Sequence, residues 1–173
     1  MKKIHQKILN DKDFIKFVYA YNKVKTNNNP DNLIKQLYDD VLLPSTIFVS
    51  ELGCLEAVVK YLKENLEISF KNIAVKLEKS EANIRISYSN SKKKYAFAFD
   101  TITYLTKDNH SGNVKLIPLR SFLNNLSMLE SLVCFLKDEQ NMRFSEIAKI
   151  LSRDQRTIWT VYNRALKKRI KNK

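Results

Sequence analysis

The stretch of sequence that decides the fold occurs twice. Residues 43–94 read LPSTIFVSELGCLEAVVKYLKENLEISFKNIAVKLEKSEANIRISYSNSKKK, and residues 117–168 read IPLRSFLNNLSMLESLVCFLKDEQNMRFSEIAKILSRDQRTIWTVYNRALKK, without a gap and 74 residues apart. A repeat of this length predicts one structural unit that is used twice. The identities are Pro44/Pro118, Phe48/Phe122, Leu52/Leu126, Leu55/Leu129, Glu56/Glu130, Val59/Val133, Leu62/Leu136, Lys63/Lys137, Phe70/Phe144, Ile73/Ile147, Ala74/Ala148, Leu77/Leu151, Ile84/Ile158, Tyr88/Tyr162, Lys93/Lys167 and Lys94/Lys168.

Composition and charge narrow the classes of protein to which the chain can belong. Its 173 residues are 44% hydrophobic and 10% aromatic, which is typical of a folded protein of one or two domains. The formal net charge of +13 is +3 over residues 1–43, +3 over 44–95 and +7 over 96–173. This excess favours a polyanionic partner, with nucleic acid ahead of an anionic membrane surface. A lysine- and asparagine-rich composition inherited from an AT-rich genome is the alternative explanation.

Residue types that carry catalysis or bind metals are not grouped in the sequence. Cys54 and Cys134 lie alone in apolar helical patterns, as buried free thiols in a reducing compartment do. His5 and His110 belong to no ligand or triad spacing. We therefore expect no enzyme, no metal and no cofactor. With no visible signal peptide and no apolar run near ~18 residues, we expect a cytoplasmic, nucleoid-associated protein that has no membrane partner.

The chain divides into four segments around the repeat. Apolar residues at helical spacing predict an N-terminal helical segment, with one helix over residues 3–25 and a shorter one over 32–41. Between the copies, apolar residues alternate on either side of a turn at residues 109–112, which predicts a short β hairpin. The predicted segments are 1–42 (helical), 43–94 (first unit), 95–116 (connecting segment) and 117–173 (second unit).

Each copy begins with a short apolar stretch that contains a proline. The residue before a proline is pushed toward extended backbone, so a short extended segment is expected ahead of the first helix. Apolar residues at i, i+3, i+4 and i+7 then predict that first helix over residues 52–65 and over 126–140. The repeated Glu56 and Glu130 are expected to have a structural role in this helix, such as an ion pair between Glu56 and Lys60.

Residues 144–169, FSEIAKILSRDQRTIWTVYNRALKKR, have the spacing of a helix-turn-helix. Ala148 supplies the small residue where two helices touch, and Asp154 is placed to cap the following helix at the amide of Thr157. Apolar residues that would seal the helix pair are Ile147, Leu151, Ile158 and Val161. The first copy has Ile73, Ala74, Leu77 and Ile84 in these roles, Ser80 as the cap, and Ser87 in place of one aliphatic residue. The sequence thus predicts a mostly α-helical fold with two tandem tri-helical helix-turn-helix units.

These residues resemble DNA-binding region four of primary-type sigma factors and the wider tri-helical helix-turn-helix class. They are more closely similar to archaeal and bacterial proteins with tandem modules of the form LxxLExIVxYLKE…IAxLLxRDQRTIWTxYxRAxKK. The resemblance covers about 100 of the 173 residues, and residues 1–40 have no parallel in it. The matching residues are Leu126, Leu129, Glu130, Val133, Leu136, Lys137, Ile147, Ala148, Leu151, residues 153–159, Tyr162, Arg164, Ala165, Lys167 and Lys168.

A recognition helix over residues 154–169 would present one face to the major groove. The candidate base contacts are Gln155, Arg156, Thr157, Trp159, Thr160 and Asn163, of which Arg pairs with guanine and Gln with adenine. The candidate phosphate contacts are Arg153, Arg164, Lys167, Lys168 and Arg169. The alternatives are a solvated charge for Arg156, core packing for Trp159 and a solvated helix end for the lysines. Tyr88 and Tyr162 are expected in the core.

The first copy differs on the equivalent face, which carries Glu81, Ala82, Arg85, Ile86 and Ser89. A glutamate there repels phosphate unless it accepts a hydrogen bond from cytosine. Lys92, Lys93 and Lys94 remain candidate phosphate contacts. The first unit is therefore either a weaker DNA reader or a surface for a partner protein.

The leading hypothesis is a sequence-specific protein that binds double-stranded DNA and acts as a transcription regulator or sigma-like factor. Direct readout is expected from the third helix of the second unit. One alternative is an adaptor that docks on RNA polymerase or another protein. Another is an RNA- or ribosome-binding protein, since the same charge serves that function. A homodimer is left open.

Overall fold

The part of the chain that the structure describes is mostly helical. The computed structural model describes residues 41–99 and 114–171, and these ranges form six α-helices and one two-stranded sheet. The mostly α-helical fold class is thereby confirmed. The helices predicted over residues 3–25 and 32–41 lie outside the described residues, apart from Val41.

The first unit contains a short strand and three helices. Its serines cap the second and third helices: the Ser69 hydroxyl accepts a hydrogen bond from the amide of Asn72 at 3.2 Å, and the Ser80 hydroxyl accepts one from Asn83 at 3.3 Å. The predicted cap at Ser80 is confirmed. The elements are β1 (Leu42–Pro44), a 3₁₀ turn (Ser45–Ile47), α1 (Cys54–Glu64), α2 (Phe70–Leu77) and α3 (Glu81–Lys94).

The second unit repeats this order of elements. Its first helix begins later than predicted because Ser127 caps it, with reciprocal bonds between the Ser127 amide and the Glu130 carboxylate (2.8 Å) and between the Glu130 amide and the Ser127 hydroxyl (3.4 Å). The last part of the predicted helix, Phe135–Glu139, winds as a π-helix. The elements are β2 (Leu116–Pro118), a 3₁₀ turn (Leu119–Phe122), α4 (Met128–Cys134), α5 (Phe144–Ile150) and α6 (Gln155–Lys171).

Backbone and ring geometry repeat closely between the units. The four non-glycine residues with positive φ in the described ranges form two equivalent pairs, Glu67 with Asn141 and Glu78 with Ser152. After α2, the Lys79 amide bonds the Ala74 carbonyl at 3.0 Å, and the Arg153 amide bonds Ala148 at 2.9 Å after α5. This pattern ends a helix at a left-handed residue. The Phe70–Tyr88 and Phe144–Tyr162 ring centroids are 5.3 and 5.4 Å apart.

A local pseudo-two-fold axis relates the leading strands of the two units. Strands β1 and β2 pair antiparallel with Leu43 opposite Ile117, and these two residues occupy equivalent positions of the repeat. The flanking hydrogen bonds have the same symmetry. The Ser45 amide bonds the Lys115 carbonyl, and the equivalent Leu119 amide bonds the equivalent Val41 carbonyl, both at 2.8 Å. Equivalent residues that pair with each other across an interface define an isologous contact. The strand contact between the units therefore has the symmetry of a dimer interface.

One hydrophobic core is continuous through both units. It contains fully buried residues of each, and α1 packs against α4. The residues predicted to seal the helix pairs are all buried, namely Ile73, Ala74, Leu77 and Ile84 in the first unit and Ile147, Ala148, Leu151, Ile158 and Val161 in the second. Ser87 is also buried and stands at the position of Val161.

Most of the predicted hairpin between the units, including its turn at residues 109–112, lies outside the described residues, so it stays a prediction. The described residues 95–99 form no strand, and β2 pairs with β1. Tyr95 and Phe99 stack with their ring centroids 5.5 Å apart, and the Asn65 amide donates to the Phe99 carbonyl at 2.8 Å. Packing against the first unit thus fixes these residues. Residues 100–113 lie outside the described ranges.

Candidate nucleic-acid interface

The N-terminal half of α6 presents the predicted base-reading residues to solvent. The Asp154 carboxylate accepts hydrogen bonds from the amides of Arg156 (2.8 Å) and Thr157 (3.4 Å), which confirms the predicted cap. Ile158 and Val161 are buried and define the inward face. The outward residues Gln155, Arg156, Thr157, Trp159 and Thr160 are exposed, and Asn163 is half-buried.

Trp159 lies on the surface instead of in the core. Its side chain is 55% exposed and borders an open depression together with Asp154, Gln155 and Arg156. Within residues 41–99 and 114–171, the Gln155 amide and the Arg156 guanidinium have no side-chain partner. Three groups that can bind bases are thus left available at one helix end.

Two other predicted base contacts are partly engaged by the helix itself. The Thr160 hydroxyl donates to the Arg156 carbonyl at 2.8 Å, and the Asn163 amide donates to the Trp159 carbonyl at 3.0 Å. Back-bonding of this kind uses the hydroxyl proton of Thr160. Thr160 keeps its methyl group and its oxygen lone pairs for a ligand, and Asn163 keeps its amide oxygen.

Glu130 binds two of the predicted phosphate contacts, Arg164 and Lys168. Its carboxylate has no exposed surface and accepts hydrogen bonds from Arg164 Nε (2.6 Å), from Lys168 Nζ (2.8 and 3.0 Å) and from the Ser127 amide. Arg164 and Lys168 remain 56% and 44% exposed. The cluster therefore carries one net positive charge at the surface of α6 and ties that helix to α4.

The same contacts set the ionisation of Glu130. Burial alone would raise its pKa, but the hydrogen bonds from Lys168, the Ser127 amide and Arg164 outweigh burial and lower the pKa to about 2. Glu56 has a similar environment. Burial opposes the hydrogen bonds from Lys94 and the Gly53 amide, and the pKa of Glu56 is also lowered.

Asp138 holds the C-terminal end of α6. It accepts a hydrogen bond from Arg169 Nη1 at 2.8 Å and another from the Tyr162 hydroxyl at 2.8 Å. In the first unit Tyr88 bonds Glu64 at 3.0 Å, while Lys60, which has no exposed surface, supplies the cation to Glu64 at 2.7 Å. Both tyrosines are half-buried, so their rings pack as expected and their hydroxyls bind acids at the surface.

Arg153 joins the two units instead of standing free. Its Nη2 donates to the Leu52 carbonyl at 2.8 Å, just before α1 of the first unit. Leu52, Cys54, Leu129 and Leu132 line the same narrow groove between the units. The structure thus gives this predicted phosphate contact a role in the packing of one unit on the other.

The equivalent face of the first unit is chemically different. Arg85 Nε bonds Glu81 at 2.9 Å, and its guanidinium lies over the Phe70 ring at 4.7 Å from the centroid. Ile86 is 61% exposed, and Ala82 and Ser89 are also exposed. The one cation on this face is therefore partly neutralised by its own helix.

At the end of α3, as at the end of α6, some lysines pair with an acid and one does not. Lys94 bonds both Glu56 oxygens at 2.8 and 2.9 Å, and Lys92 lies 3.7 Å from Glu64. The predicted pair between Glu56 and Lys60 is wrong, because Lys60 turns to Glu64 one helical turn further on. Glu56 instead spans from the start of α1 to the end of α3.

Lys93 and Lys167 are the exception among the eight predicted phosphate contacts. They are equivalent positions of the repeat, both are exposed, and neither has a side-chain partner among the residues that the structure describes. The other six are Arg153, Arg164, Lys168, Arg169, Lys92 and Lys94, and each has one of the partners given above. Lys93 and Lys167 are therefore the lysines most available to a phosphate.

The sequence contains a signal for the ion pairs that join the first and third helices of each unit. Glu56 and Lys94 are both repeated, as Glu130 and Lys168. Two charged residues repeated together among core positions indicate a contact between them. Arg153 and Asp138 give no such signal, because their partners are supplied by the backbone of the other unit and by a non-repeated arginine.

No helix in the described ranges is long and apolar enough to cross a membrane. Comparisons of the chain with family models, with curated proteins and with solved structures find no match.

Proposed function

We propose that the chain is a sequence-specific double-stranded DNA-binding protein that acts in transcription, as a regulator or a sigma-like factor. In this proposal the three helices of each unit form a tri-helical helix-turn-helix, and α6 enters the major groove. The observation that carries it is the exposed pair Gln155 and Arg156 beside Trp159 at the capped start of α6, where neither side chain has a partner among the described residues. Residues at the N-terminal end of a recognition helix contact base edges in such proteins.

The chemistry of these side chains fits direct readout. Arg156 can donate two hydrogen bonds to guanine O6 and N7, and Gln155 can pair with the adenine N6 and N7 groups. Lys167, which is exposed and unpaired among the described residues, supplies an ammonium for phosphate, and the Glu130 cluster adds the exposed faces of Arg164 and Lys168. The net charge of +13 supplies the attraction that is independent of sequence.

Selection of bound fragments from a random duplex pool, followed by titration at fixed salt, tests the proposal. Arg156→Ala and Gln155→Ala should each reduce discrimination between the selected site and a one-base mismatch, by about 1–3 kcal/mol for a bidentate contact. Lys167→Ala is the matched control, because it should weaken binding to all duplexes alike. Structured RNA serves as the competitor.

Three results would count against DNA readout. These are the absence of any enriched motif, unchanged discrimination in Arg156→Ala and Gln155→Ala, and tighter binding to structured RNA than to duplex DNA. Strong salt dependence would not rescue the proposal, because phosphate contacts alone produce it.

A protein-docking function for the first unit is the second candidate. Val75 and Ile86 are 72% and 61% exposed, whereas Lys149 and Thr160 occupy the equivalent positions of the second unit. Purification from a nuclease-treated lysate should recover a stoichiometric partner, such as RNA polymerase. The variant Val75→Lys, Ile86→Thr, which installs the residues of the second unit, should lose that partner. Equal recovery by the variant and the parent chain would remove this candidate.

A further inference from the structure

The relative orientation of the two units indicates how the parts of a DNA site would be oriented, and the tandem repeat in the sequence does not. Copies arranged by translation would present their third helices in the same direction. The antiparallel pairing of β1 with β2, centred on Leu43 and Ile117, relates the two strands by a two-fold rotation instead. The paired bonds from Ser45 to Lys115 and from Leu119 to Val41 confirm that rotation at both strand ends.

We propose that the protein recognises two half-sites in inverted orientation on one duplex, the first contacted by α6 and the second by α3. This inference rests on the proposed function and names the form of its DNA site. A protein two-fold is matched by a pseudo-palindromic operator, because the duplex has its own two-fold axes perpendicular to the helix. Half-site centres in such complexes lie about 10 base pairs apart, or at a multiple of that spacing.

The contacts inside each unit are similar enough for a single rotation to superimpose one unit on the other. Rings, helix ends and acid–lysine pairs repeat between them, from Phe70–Tyr88 and Phe144–Tyr162 to the bonds of Lys94 and Lys168. Since the ring pairs and the acid–lysine pairs hold each third helix in the same way, we take the rotation at the strands to carry α3 onto α6. Lys93 and Lys167 then occupy symmetric positions for phosphates on the two half-sites.

The two half-sites are unequal because the reading faces differ. Within the described ranges, Gln155 and Arg156 have no side-chain partner on α6, whereas on α3 Glu81 binds Arg85 and Ala82 replaces the arginine. The exposed Ile86 offers an apolar contact, which suits a thymine methyl group. The site should therefore be an imperfect palindrome, with one half strongly specified and the other weakly specified.

Hydroxyl-radical footprinting of the full chain on its selected site tests the orientation without any substitution. Two protected segments related by a dyad, with the pattern on one strand mirrored on the other, are the expected result. Protection repeated by simple translation, or limited to a single half-site, would overturn the inference while leaving sequence-specific binding intact.

A symmetrised chain gives the sharper measurement. The substitutions Glu81→Gln, Ala82→Arg, Arg85→Trp, Ile86→Thr and Ser89→Asn give α3 five of the six candidate base contacts of α6, at positions that are exposed or half-buried. The probes are three duplexes of equal length that carry the half-site of the second unit as an inverted pair, as a direct pair or singly. Each paired probe is made with centre spacings of about 8–13 base pairs around one helical turn.

The symmetrised chain should bind the inverted probe at least tenfold more tightly than the direct and single probes, at one preferred spacing. The unsubstituted chain is the matched control and should show a smaller preference on the same probes. A direct repeat bound as tightly as the inverted one, or no gain from a second half-site, would overturn the inference. Failure of both chains to prefer any probe over random duplex would remove the proposed function as well. Should the symmetrised chain not fold, the footprint of the unsubstituted chain decides the orientation.

Discussion

Glu130 is a residue whose charge has a structural use within the second unit. Because its carboxylate is buried and bonded to Arg164, Lys168 and the Ser127 amide, removal of the charge leaves two cations without their acid. Glu130→Gln keeps the capping interaction at the start of α4, since glutamine serves at this position of a capping box. The change in stability on this substitution therefore reports the contribution of the ion pairs and not that of the cap.

We expect Glu130→Gln to lower the free energy of unfolding by about 2–3 kcal/mol at neutral pH. This follows from a pKa of about 2 in the folded chain against about 4.3 in an unfolded one. Urea denaturation followed by circular dichroism measures the difference. Glu56→Gln is the matched control, with a smaller loss of about 1 kcal/mol, because Glu56 pairs with Lys94 alone.

The effect of Glu130 should depend on pH with a definite sign. Because folding lowers its pKa, the stabilisation is complete above the unfolded value of about 4.3 and is lost as the pH falls through about 2. The stability difference between the parent chain and Glu130→Gln should therefore shrink by about half at pH 3 relative to pH 6. A difference that grew toward acid pH would contradict the assigned ion pairs.

At the scale of elements, α6 begins with an acid on the face that we propose reads DNA. Asp154 caps the helix and borders the same depression as Gln155 and Arg156. Its carboxylate therefore stabilises the helix start and repels phosphate. Two substitutions at this position distinguish the stabilisation of the helix from the repulsion of phosphate.

Asp154→Asn should retain the cap and bind duplex DNA about two- to tenfold more tightly at low salt, because it removes a like charge near phosphates. Asp154→Ala should lose about 1 kcal/mol of stability in addition. Thermal unfolding and titration at two salt concentrations measure both effects. Weaker binding by Asp154→Asn would show that the carboxylate itself accepts a hydrogen bond from the DNA.

The helices themselves could be predicted from the sequence to within a few residues. The helices predicted over residues 52–65, 126–140 and 154–169 correspond to α1, α4 and α6, and the caps at Ser80 and Asp154 followed from residue type. The helix starts at Cys54 and Met128 came later than expected, because Gly53 and Ser127 hold the cap positions. The π turn at Phe135–Glu139 has no counterpart in hydrophobic periodicity, so the sequence could not indicate it.

The candidate site could be predicted only in part. Residues that follow from helix phase, such as Gln155, Arg156 and Trp159, lie on the exposed face as expected. The states of Arg153, Arg164, Lys168 and Arg169 depend on partners 31 to 101 residues away, which local pattern does not contain. Long-range pairing of this kind needs the tertiary structure.

At the scale of the whole molecule, the continuous core predicts that both units unfold together. Ile84 and Ile158 are equivalent and fully buried, one in each unit. Ile84→Ala and Ile158→Ala should each cost about 2–5 kcal/mol and lower the midpoint of the same single transition. Calorimetry measures this, and two separate transitions in either variant would contradict a common core.

The two-fold relation could not be predicted from the repeat, which has the same 74-residue offset for a translated and for a rotated pair. The orientation depends on which residues of the extended leads pair. Leu43 and Ile117 lie opposite each other, and no local property of either lead specifies that register.

The cations that face Glu64 and Asp138 show how the duplicated units diverged. Position 60 is lysine and position 95 is tyrosine in the first unit, whereas the equivalent positions 134 and 169 are cysteine and arginine. In the second unit, loss of Arg169 would remove the one cation bonded to Asp138, because Leu166 occupies the position equivalent to Lys92. In the first unit, Lys92 would still face Glu64 after loss of Lys60. The first unit is therefore the copy that better tolerates loss of the cation beside this acid.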